Sequence, residues 1–87
     1  MPDVSADPEK LRQFASTLAR SAAQLESIAR QLGRSLDATG WRDSERHRFE
    51  EDFRVTVRSL TAFTERLRDS YVPQLRKKAE ALDRFRE

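Results

Sequence analysis

The residue with the widest chemical range in this chain is its single histidine, His47, which has Asp43 and Glu51 four residues to either side. On a helix that spacing puts all three on one face, and one imidazole between two carboxylates is the beginning of a metal site. A zinc centre takes three or four ligands, usually with more than one His or Cys, and this chain has no cysteine at all. The pattern therefore reads as a solvated helix face with local ion pairs. Glu50, Glu51 and Asp52 read the same way before they read as a carboxylate pair for acid–base work. The eight serines and one histidine make no nucleophilic triad without a pocket to gather them. The pattern predicts a protein that is not an enzyme, with no catalytic residue, no metal, no cofactor and no small-molecule substrate.

The other reactive stretch is electrostatic. Arg76, Lys77 and Lys78 make the tail locally basic, with Arg84 beyond them, and Arg46 to Arg48 adds a second spot. Phosphate binding needs such charges gathered on one face and a large positive balance. Here 17 basic residues meet 15 acidic ones for a net charge of +2, and Glu80 and Asp83 interrupt the tail. Nucleic acid or an anionic surface is thus the secondary reading, with Arg76, Lys77 and Lys78 as its contacts.

The elements that would carry these residues are long helices. Charged and hydrophobic residues each make up 37% of the 87, with two Gly and three Pro, a balance that suits amphipathic helices. A chain of this length is one domain. Asp7-Pro8-Glu9 is a helix start: a capping carboxylate, a proline in the first turn and an acid favoured by the helix dipole. Leu11, Phe14, Leu18, Ala22, Leu25, Ala29, Leu32 and Leu36 then recur every three or four residues. The spacing predicts helix one over about 8–38. Asp37 to Asp43 is the one strong breaker cluster, in which Gly40 ends a helix and Asp43 caps the next. With the bend at 39–43, helix two follows over about 44–72 on Phe49, Phe53, Val57, Leu60, Phe63, Leu67 and Tyr71. Val72-Pro73 predicts a kink or short break, and Leu75, Ala79, Leu82 and Phe85 resume a helical stripe over about 73–86. Met1 to Ala6 reads as a short frayed lead-in.

The apolar stripes fit a chain folded back near Trp41. That register pairs Leu32 with Phe49, Ile28 with Phe53, Leu25 with Val57, Phe14 with Leu67 and Leu11 with Tyr71. It leaves everything from Leu75 onward overhanging, without a partner in its own chain. A two-helix hairpin is also a single layer, where a stable core normally needs two. The predicted fold is all-α: an antiparallel two-helix hairpin with a C-terminal helical extension, dimerising into a four-helix bundle. Leu75, Ala79, Leu82 and Phe85 are its candidate partner-binding tail. No apolar run is long enough to cross a bilayer, and the N-terminus lacks a basic-then-apolar signal. The reading is a cytoplasmic protein, or one exported without a cleaved signal peptide.

The bend residues carry a family likeness. Gly40-Trp41, with the aromatic Phe49 eight residues on, in a short chain of two long helices, resembles the WXG superfamily of early-secreted-antigen-like hairpins handled by type VII secretion. The likeness covers nearly the whole chain, with bend-motif residues Gly40, Trp41, Asp43 and Phe49. Asp43 stands where the family has a second glycine, and Leu75 stands four residues after Tyr71 where many exported members carry an acid. The resemblance implies a protein–protein interaction module that works as a homo- or heterodimer with itself or a related hairpin chain. It extends the partners to a secretion-system ATPase.

Overall fold

The structure, a computed structural model, describes residues 6–86, so the reading of a frayed lead-in falls, except for Ala6, outside the described residues. Helix α1 runs Pro8–Ala38, α2 runs Ser44–Arg66 and α3 runs Val72–Arg86, with a π-helical turn over Leu67–Tyr71 joining the last two. No strand occurs among the described residues. The two helical limbs lie side by side in a hairpin-like form measuring 64 × 20 × 17 Å.

Each boundary has a local cause. The Asp7 side chain accepts the Glu9 N–H at 2.9 Å, and Pro8 occupies the first turn, where its missing donor costs nothing. At the other end of α1, Thr39 turns back on the helix: its N–H and its hydroxyl both donate to the Leu36 carbonyl. Gly40 then takes φ +69°, the left-handed region that costs other residues a Cβ clash. Asp43 Oδ1 accepts the Glu45 and Arg46 N–H groups at 3.0 and 3.1 Å, starting α2.

The limbs meet along a narrow seam of small residues. Ala15 and Ala22 of α1 are fully buried, as are Pro8, Thr64 and Ala79, with Leu67 and Val72 nearly so. The Thr64 hydroxyl donates to the Thr61 carbonyl one turn back at 3.0 Å, so its burial leaves no polar atom unmatched. Side chains this small let the helix axes approach closely. The cost is that large side chains stay outside: Phe14, Ile28, Leu32, Phe49, Phe63 and Tyr71 are between 44% and 55% exposed.

The register differs from the one the apolar stripes suggest. A Cβ on Gly33 would stand 3.8 Å from the Phe53 ring, whereas the stripes pair Phe53 with Ile28. Val57 lines the same groove as Ala29, one turn beyond the expected Leu25. Near the bend the slip is about one helical turn. Toward the termini α3 lies beside the start of α1. The expected overhang from Leu75 onward is therefore overturned. The tail packs on α1, Ala79 is wholly buried, and Arg12 pairs with Asp83 at 2.8 Å. Arg68 pairs with Glu26 midway along. Nor does Pro73 break the helix: the irregularity precedes it, as the π turn.

Candidate functional site: the bend and the apolar face

Local chain reversal places the bend residues. Trp41 is half-buried, its ring centroid 6.2 Å from Phe49, and Phe49 stacks on Phe53 at 5.9 Å with planes 10° apart. The three rings form a ladder running from the bend down α2, with geometry in the favourable range for aromatic pairs. Gly40 and Asp43 give this ladder its anchor through backbone conformation and capping. The Asp43 carboxyl lies below the ordinary carboxylate range. The Arg46 N–H is the largest cause, then the adjacent Trp41 indole, against a weaker desolvation effect.

The bend has one further residue that sequence reasoning passed over. Arg46 has a side chain only 15% exposed; it donates to the Trp41 carbonyl at 2.9 Å and pairs with Asp37 at 3.1 Å and with Glu50. It ties the last turn of α1, the bend and α2 together. Asp37 sits at the negative end of the helix dipole, where an acid is disfavoured, and the guanidinium offsets it. In the sequence, Arg46 belongs to a basic triplet. The signal that singles it out is its spacing from two acids, Glu50 four residues on and Asp37 across the bend.

The chemical candidates stay on the surface. His47, Asp43 and Glu51 are all exposed. No cluster of three or more His, Cys, Asp or Glu is placed to hold a metal among the described residues. Arg76, Lys77 and Lys78 are exposed, but consecutive helix residues fan out by about 100° each and do not share a face. Of the tail stripe, Ala79 faces the seam, Leu75 and Leu82 are half-buried, and Phe85 is 77% exposed.

The large exposed apolar residues do share a face. On α1 the helical spacing sets the row Phe14, Leu18, Leu25, Ile28, Leu32 to one side of the buried seam positions Ala15 and Ala22. Phe14 and Leu18 line a single groove with Phe63, Leu67, Tyr71 and Leu75, so the rows of both limbs border the same side. The outer neighbours of the α1 row are Gln13, Thr17, Ser21, Gln24 and Gln31, all uncharged in a chain that is 37% charged. Among the described helices, none is long and apolar enough to cross a membrane.

No protein-family model, curated protein or solved structure matches the chain.

Proposed function

We propose that this protein is a non-enzymatic interaction module that binds another helical hairpin through its apolar face, in the manner of WXG-type secretion substrates and their partner chains. The observation that carries the reading is surface. A compact chain of 10.1 kDa exposes about 5,300 Å², and this one exposes 6902 Å². The excess of about 1,600 Å² lies in the range per protomer of obligate interfaces. Six large apolar side chains lie half-exposed where a monomer with a second packed layer would cover them. The Gly40–Trp41 bend, with the Phe49 ring tilted against the tryptophan, supports the WXG likeness.

In this reading two hairpins stack face to face as a four-helix bundle, Trp41 and its aromatic ladder mark one end of the face, and the module acts before or during export. Ile28→Glu tests it by placing a charge at the centre of the face and away from the seam. Sedimentation equilibrium at micromolar concentration is expected to show a dimer for the native chain, alone or with a related hairpin, and a helical monomer for the variant. A native chain that stays monomeric and fails to capture a related hairpin overturns the reading. Salt separates it from the basic-tail alternative, since phosphate-driven binding weakens steeply with salt and an apolar helix interface does not.

A further inference from the structure

The π turn is the one irregularity in the second limb, and it falls on the apolar face. Thr64 is fully buried in the seam. In an unbroken helix the same seam position returns every seven residues, at Tyr71, Lys78 and Phe85. The structure instead buries Val72 and Ala79, at 4% and 0% exposure, while Tyr71 stands 48% exposed. The Val72 N–H reaches back five residues to the Leu67 carbonyl, which inserts one residue into the repeat. Everything after it is rephased by about 100°.

Two causes hold the insertion in place. Pro73 lacks an N–H, and in a regular helix its ring crowds the Asp69 carbonyl; a wider turn just upstream relieves this. The seam supplies the second cause. Ala79 lets α1 approach to contact, whereas the uninserted phase would press the Lys78 ammonium and two aromatic rings against Ala15 and Pro8.

Rephasing also determines what the outer face offers. Tyr71 becomes one wall of a groove of ≈ 470 Å³ lined with Phe14, Leu18, Phe63, Leu67 and Leu75. We infer that the π turn at Leu67–Tyr71 serves to place Tyr71 on the docking face, and that the groove it walls is where a second copy of this chain seats. The inference rests on the proposed interaction function and names its partner and its determining residue. A second copy fits because the α1 row is apolar and its neighbours Gln13, Thr17, Ser21, Gln24 and Gln31 are uncharged. The cations on the second limb, Lys78 at the groove's edge and Arg66 over the Phe63 ring, stand apart from one another and make no patch for a nucleic acid or an anionic surface. The surplus surface is also of the size that self-association covers.

The experiment uses the full chain and compares three variants with the native protein by sedimentation equilibrium and circular dichroism. In the first, Tyr71 is deleted and Pro73 is changed to Ala, which removes the insertion, leaves Val72 and Ala79 at seam spacing from Thr64 and puts Ser70 where Tyr71 stood. The helix is expected to stay intact while the groove loses that wall, and self-association should weaken by about 10-fold or more, roughly 1.4 kcal/mol. The second, Tyr71→Ala, should weaken it comparably without loss of helicity, because half of that side chain is already in solvent. The third, Val55→Ala, alters an exposed apolar residue away from the groove and should leave association unchanged. If both Tyr71 variants dimerise as the native chain does while Ile28→Glu still abolishes the dimer, the inference fails and the interaction face stands. If the native chain is a monomer by itself, the second-copy inference fails. Capture of a related hairpin would then preserve the wider reading, and its absence would end both.

Discussion

The two ends of the hairpin-like fold are built differently. Toward the chain termini α1 contributes Pro8, Ala15 and Ala22, and the second limb Thr64, Leu67, Val72 and Ala79, all buried. Between Ala23 and Phe63, the half that contains the bend, no described residue is buried. Instead a groove of ≈ 570 Å³ runs between Gly33 and Leu36 on one limb and Phe53, Val57 and Thr61 on the other. Side-chain size accounts for the contrast. Alanine against alanine or valine brings helices close enough to exclude water. Leu36 and Phe53, flanked by Arg54 and Arg58, hold the limbs apart and cannot fill the space between them. The bend half keeps its shape through local means: caps, the left-handed Gly40, the aromatic ladder and the Arg46 ties. Cohesion between limbs therefore comes from the end the sequence leaves least conspicuous, and the conspicuous bend is a connection.

Substitutions can break this comparison, and the largest effect is expected in the tail half. Leu67→Ala should cost about 3 kcal/mol of stability, the loss typical of a buried leucine. Val57→Ala, beside the open groove, should cost about 1 kcal/mol because water already reaches the site. Urea denaturation measures both, and equal losses would mean that the halves are equally packed.

Enlarging small residues is the converse. Ala22→Leu forces a branched side chain into the closed seam and should destabilise by about 2 kcal/mol. Ala29→Leu, at a half-buried site along the groove, should be close to neutral. A neutral Ala22→Leu in thermal melts would show that the seam has slack and that its small residues are not what brings the limbs together.

Gly33→Ala sharpens the contrast with a gain. The added methyl meets the Phe53 ring at an ordinary 3.8 Å, and replacing a mid-helix glycine stabilises by about 1 kcal/mol. A higher melting temperature is the expected outcome, and a lower one would place the limbs closer here than the structure does.

The smallest effect is electrostatic. The Glu26 carboxyl is held below its ordinary value of 4.5, chiefly by its hydrogen bond from Arg68, and Asp43 below 3.8. Carboxyls depressed in the folded state stabilise it above their unfolded values and lose that contribution as pH falls through the folded ones. Melting temperature should therefore hold at neutral pH and decline below about pH 4.5. In Glu26→Gln the inter-limb part of that decline should be missing while the Asp43 part at the bend remains. An unchanged acid profile would mean that the Arg68–Glu26 pair adds nothing to cohesion between the limbs.

Local chemistry by itself determined the helices of this protein. Asp7-Pro8, Gly40 and Asp43 each act through backbone geometry within a few residues, so caps, bend and all-helical character can be read without knowing what packs on what. An apolar stripe at helical spacing also tells which side of a helix is greasy. It does not tell which edge of that stripe meets its neighbour. The seam took Ala15 and Ala22 and left Phe14, Ile28 and Leu32 outside, because close approach of two backbones rewards the smallest side chains rather than the most apolar. Register was likewise a tertiary decision. The fit between the two limbs placed Phe53 by Gly33 and drew the tail onto α1. The π turn was settled at the same level: Pro73 marks an irregularity in the sequence, but only the demand for Val72 and Ala79 in the seam makes it a one-residue insertion that turns Tyr71 outward.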